Sequence, residues 1–170
     1  MKCPMCGNNM TTGKGNHGYI EARLDNVVLV GIPMHRCTAC GEVMPELKNI
    51  EKIHNSIAEA LIKKSASLTG KEVRFLRKEM DKSAKDLAAL LSVSPVTVSR
   101  WETGAEPVGI VSDKLVRMLY IQTMQERYNV VRGAVVGGII QAIKPKEKQR
   151  PIRIDVLRLA RQRQVYAPLH

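Results

Sequence analysis

Leu87-Ala88-Ala89-Leu90-Leu91-Ser92-Val93-Ser94-Pro95-Val96-Thr97-Val98-Ser99-Arg100-Trp101-Glu102-Thr103-Gly104 is the stretch whose reading decides the fold. Ser83 reads as the cap of a short helix from Ala84 to Leu91, with Leu87, Ala88 and Leu91 facing inward. After Ser92-Val93, Ser94 reads as a second cap and Pro95 as the first position of a helix running to about Thr103, which Gly104 ends. Upstream, Thr69-Gly70-Lys71-Glu72 has the form of a capping box, ahead of Val73, Leu76 and Met80 on one face. Downstream of Pro107, the spacing predicts a fourth helix from Ser112 to roughly Arg127.

These residues resemble the helix-turn-helix of phage-repressor-like regulators. Ala88 is small enough for two helices to cross closely, Val93 and Val98 fill the space between them, and Trp101 packs beneath the second helix with Glu102 at its end. The resemblance implies that the helix beginning at Pro95 enters the major groove, its N-terminal part against base edges. Thr97 and Arg100, three apart, then lie on the exposed face, and arginine suits bidentate contact with guanine. Val96 stands beside them, Ser94 and Ser99 are candidates for phosphate, and Lys85 and Lys82 add charge at the DNA backbone. The competing role for Arg100 is a salt bridge to Glu102 or Asp86.

All four cysteines fall near the start, as Cys3-Pro-Met-Cys6-Gly and Cys37-Thr-Ala-Cys40-Gly. Two C-x2-C knuckles supply the four thiolates that a tetrahedral zinc takes. Gly7 and Gly41 let each knuckle turn back with backbone N–H groups toward the sulfurs. Two disulfides would suit a secreted chain, a redox pair needs only one knuckle, and iron fits the same cage; zinc is the reading adopted. His17 and His35 read as ordinary surface or strand residues. Between the knuckles, Tyr19–Arg23 and Val27–Ile32 read as strands of a hairpin turning at Asp25-Asn26, which returns Cys37 and Cys40 to Cys3 and Cys6. Four thiolates leave no open position for substrate, so the site is expected to be structural.

The chain of 170 residues carries a formal net charge of +11, and residues 144–170 hold 8 Lys/Arg against 2 Asp/Glu. That balance fits a polyanionic partner, nucleic acid being the commonest. The opening on a cysteine knuckle and the shortness of the apolar run Val130 to Ile143 point to a cytoplasmic protein with no membrane partner. No Ser/His/Asp set, phosphate-cradling glycine loop or paired carboxylates appear, so the chain reads as a non-enzyme.

The cysteine spacing together with Ser99-Arg100-Trp101-Glu102-Thr103-Gly104 resembles the MqsA (YgiT-type) antitoxins over roughly residues 1 to 125. The resemblance implies a structural zinc on Cys3, Cys6, Cys37 and Cys40. It also implies an N-terminal module that contacts a toxin, and a helical domain that dimerises and binds a palindromic operator through Arg100. Two positions depart from the pattern: Val96 replaces a base-reading asparagine, and Ala84 stands where repressor-type domains favour glutamine.

The expected fold class is α+β in two domains, a small zinc-bound β-hairpin module followed by an all-α repressor-like helix-turn-helix domain. The divisions are 1–44 for the zinc module, 45–68 for a helical connector with Leu47, Ile50, Ile53, Ile57, Leu61 and Ile62 on one stripe, 69–128 for the DNA-binding domain, and 129–170 for a C-terminal extension. In that extension, Ile152 to Val156 alternates as a short strand does, and the whole serves for dimerisation or as a basic arm. Two further functions fit the same residues: a zinc-ribbon regulator with no toxin, and an adaptor that binds protein or RNA.

Overall fold

In the computed structural model, described over residues 1–128, 143–144 and 146–161, the chain is an α+β protein. It divides into two compact units. The first comprises Met1–Ile20, Asp25–Ile57 and the described part of 151–163; the second comprises Glu21–Leu24 and the described part of 58–150. Residues 130–142 of the apolar run, with Gly133, Gly137 and Gly138, and the arginine at 163 lie outside the described residues. No helix among the described residues is long and apolar enough to cross a membrane.

The first unit is a four-stranded sheet centred on β2 (Val27–Cys37). β1 (Met10–Gly18) runs antiparallel along one side, in a register that sets Met10 opposite Cys37. The other side is shared by β3 (Val43–Pro45), antiparallel to Met34–Arg36, and β4 (Ile152–Asp155), parallel to Val27–Val30. Val27 and Leu29 are buried, and the alternation then slips by one residue to Ile32. The slip falls at Gly31, whose φ of 74° is left-handed. A Cβ at Gly31 would press on Leu157 of α6 (Val156–Arg161), so the missing side chain also makes room for that helix.

The hairpin therefore differs from the sequence expectation in its first arm. Tyr19–Arg23 is not a strand: Ile20–Ala22 forms a single 3-10 turn, Tyr19 is buried and Ile20 exposed. The actual strand, Met-Thr-Thr-Gly-Lys-Gly-Asn-His-Gly, buries only its first residue. An edge strand with no apolar face gives no alternation to read.

α1 (Ile50–Lys63) follows, entered through Asn49 at a φ of 55°. Its buried stripe is Ile53, Ile57, Ala58, Leu61 and Ile62, while Ile50 is half-exposed and Leu47 and Pro45 precede the helix. The second unit contains α2 (Gly70–Glu79), α3 (Ala84–Leu90), α4 (Pro95–Thr103) and α5 (Ile110–Tyr128). Thr69 and Ser83 each complete a capping box, with Glu72 and Asp86 respectively; Ser94 caps α4, and Gly104 ends it at a φ of 80°. Gly70 opens α2 so close to the end of α4 that a Cβ there would overlap the Trp101 carbonyl.

Polar groups buried in this unit are paired. Arg117 is fully buried; its Nε donates to Asp113 Oδ1 at 2.7 Å, and its Nη atoms donate to the carbonyls of Ile62, Lys64 and Ala66 at 2.6–2.9 Å. One side chain thus binds a carbonyl in the last turn of α1 and two in the segment that follows it. Asp113 accepts in turn from Leu68 N at 2.9 Å, and Lys64 pairs with the buried Glu72 at 2.5 Å. The charged segment after Ile143 lies against this region: Lys144 N donates to Ser65 O, and Gln149 bonds both Lys64 and Ser67.

Candidate metal centre and nucleic-acid interface

The two knuckles are built alike. Gly7 N–H donates to Cys3 O and Gly41 N–H to Cys37 O, at 2.9 and 3.0 Å, with both glycines left-handed at φ of 73° and 77°. The glycines thus make the turns, and the amides that reach sulfur belong to the residues after them, Asn8 and Glu42. The antiparallel register of β1 on β2 brings the knuckles together. The four Sγ atoms lie within 4.8 Å of one another, with Cys3 to Cys40 and Cys6 to Cys37 both at 3.5 Å. Those separations exclude sulfur–sulfur bonds, which are about 2.05 Å. They suit a tetrahedron, because zinc–sulfur bonds of about 2.3 Å set the sulfurs about 3.8 Å apart.

Electrostatics agree with a cation at the centre. The Asn8 backbone N–H and side-chain amide hold the Cys6 thiol down to about 6. Cys40 is pushed up to about 12: the Glu42 N–H favours its thiolate, but the Cys6 and Cys3 thiols and burial outweigh that amide. Four thiolates at these distances repel one another, and a divalent ion relieves the repulsion. The histidines stand outside the cluster, His35 bonding Thr12 at 2.9 Å and facing Glu46 at 3.6 Å.

In the second unit, α4 buries Val98 and Trp101 and exposes Val96, Ser99 and Arg100. Ser94 is exposed, but its Oγ is engaged by Thr97 N at 3.0 Å and Thr97 Oγ1 at 2.9 Å, and Thr97 is half-buried. These two hydroxyls are therefore less available than their spacing suggests. Lys85 is exposed on α3, whereas Lys82 is half-buried before it, with its carbonyl held by Arg77 at 2.8 Å. Val93, expected to fill the space between the helices, is half-buried. The two carboxylates expected to compete for Arg100 are committed elsewhere. Glu102 pairs with Arg77 at 2.6 and 2.8 Å, and Asp86 closes the capping box on Ser83. Arg100 makes no ion pair among the described residues.

Arg77, Asp113 and Arg117 are the structural residues that sequence reasoning missed. Their only signal is a charge at an otherwise inward helical position, such as Arg77 beside Leu76 and Met80.

Residues 1–125 match the family described as the antitoxin component of a bacterial toxin-antitoxin system, MqsA. No curated protein matches the chain.

Proposed function

This chain belongs to the MqsA antitoxin family, and from that premise we propose that it is a zinc-stabilised, dimeric antitoxin that also represses transcription from a palindromic operator. In this reading α3 and α4 form the helix-turn-helix, and α4 lies in the major groove. The observation that carries it is the state of Arg100, a cation on the exposed face of α4 whose two expected carboxylate partners, Glu102 and Asp86, are bound to Arg77 and Ser83 instead. A guanidinium so placed is available for guanine or phosphate. Ser94, Val96, Thr97, Ser99 and Lys85 surround it, with Lys82 behind, in keeping with a small dimeric repressor that reads two half-sites.

Zinc on Cys3, Cys6, Cys37 and Cys40 would be structural, fixing the start of the chain to the end of β2. A toxin would dock on the zinc module, where the edge strand β1 offers backbone groups for pairing. The dimer reading is supported by α5, which exposes Val111, Leu115 and Met118 at i, i+4 and i+7.

A mobility-shift titration of the full chain on DNA upstream of its own gene tests the reading. Wild type should bind, and Arg100→Ala should lose that binding while the fluorescence of the single, buried Trp101 stays unchanged. Equal affinity of the two proteins at moderate salt would remove Arg100 from the interface. Copurification with the product of the adjacent reading frame tests the toxin partnership.

A further inference from the structure

Resting on the DNA-binding reading above, we infer that Val96 reads a thymine methyl. Each operator half-site then carries a thymine within about two base pairs of the guanine taken by Arg100.

Val96 is 58% exposed at the second position of α4. It is β-branched, so it contributes nothing special to helix propensity there. It is also too exposed to be a core residue. A lone exposed valine carries little information, but this one shares a face with Arg100, four residues on. The hydroxyls beside it are otherwise engaged: Ser94 Oγ and Thr97 Oγ1 bond each other, and Ser94 Oγ also accepts from Thr97 N. Thr103 Oγ1 donates to the Ser99 and Arg100 carbonyls. Beyond Pro95 at the first position, the exposed side chains that α4 presents between Ser94 and Arg100 are Val96, the Ser99 hydroxyl and the Arg100 guanidinium.

The major-groove edges of guanine, cytosine and adenine offer donors and acceptors, and thymine alone adds an apolar group, its C5-methyl. Valine against that methyl removes apolar surface from water on both sides. Against the other bases it would cover a polar edge without replacing the water hydrogen bonds it displaces. The preference thus arises from attraction to one base and from the cost of the other three. Four residues of helix advance about 6 Å, close to two base steps of about 3.4 Å, which sets the spacing between thymine and guanine.

The test begins with duplexes recovered by the full-length protein from a random-sequence pool. Each thymine of the recovered consensus is then replaced by deoxyuridine, which deletes only the methyl. One thymine per half-site should show about a fourfold loss of affinity on substitution, the worth of one buried carbon. Val96→Ala should bind the thymine and uracil duplexes alike. A consensus with no thymine within about two base pairs of its guanine overturns the inference, as does a uracil penalty equal in wild type and Val96→Ala, or no penalty anywhere. Failure to recover any consensus takes down the DNA-binding reading itself, and the inference falls with it.

Discussion

Arg77 and Glu102 form a two-point ion pair, Nε to Oε1 at 2.6 Å and Nη2 to Oε2 at 2.8 Å, which fastens the end of α2 to the last turn of α4. Both side chains are nearly buried, at 6% and 9% exposure. Because α4 also carries Arg100, this pair holds the candidate recognition surface in place from behind.

Glu102→Ala leaves a buried guanidinium without its counter-charge and should cost about 3–5 kcal/mol. Replacing both partners together, Arg77→Met with Glu102→Leu, should recover most of that loss. Urea unfolding followed by Trp101 fluorescence measures both. A double variant as unstable as the single one would mean that the pair has no apolar substitute.

Gly70→Ala should destabilise the helical unit, although alanine is the better helix former by about 1 kcal/mol. The added Cβ meets the Trp101 carbonyl and Glu102 N, which are backbone and cannot rotate away. Overpacking of this kind costs about 1–3 kcal/mol. A raised melting temperature would show that the helices separate freely at this point.

Ser92 sits in the turn between α3 and α4 at a φ of 54°, in the left-handed region where a Cβ is disfavoured. Ser92→Gly should raise stability by about 1 kcal/mol, since glycine adopts this conformation without the steric cost. The check is the urea midpoint, which should rise with an unchanged slope.

Cys37→Ser should release about one zinc per chain, read by a colorimetric chelator. Hydrogen exchange should quicken in β1 and the adjoining end of β2, while Trp101 still reports a cooperative transition in the helical unit. Full metal retention by this variant would remove Cys37 from the shell.

Asp86 is held below the usual carboxylate range, first by the Ser83 hydroxyl and then by the Ser83 N–H. A depressed carboxyl stabilises the fold above its unfolded value, about 3.9, and that contribution is lost as pH falls through the lower folded value. The stability advantage of wild type over Asp86→Asn should therefore be constant above about pH 5 and shrink below about pH 4. An advantage independent of pH would mean that the carboxylate charge plays no part in the cap.

The elements legible in the sequence are those fixed by local chemistry. Thr69, Ser83, Ser94 and Gly104 sit where their residue types place them, because a cap depends on a side chain and amides only three residues away. The cysteine cluster is equally legible, since its donor set specifies its own geometry. Other features depend on which elements cross. Arg77 with Glu102, Arg117 with three carbonyls and Lys64 with Glu72 come together only once the helices have packed. β1 is hidden in the sequence because Thr11 to Gly15 carries no apolar rhythm. Ile152 to Asp155 shows its alternation, but nothing local tells it to join β2 in parallel.

That last pairing, Val27 opposite Ile152, orders events during translation. A ribosome delivers β2 early and its parallel neighbour only after α2, α3, α4 and α5 have emerged. In that interval the Val27–Val30 edge stands open, and an uncovered edge strand invites pairing with other chains. The nascent protein thus carries α2 to α5 while its first-made sheet still waits for a strand, so slow synthesis or early termination before Ile152 should favour aggregation through β2.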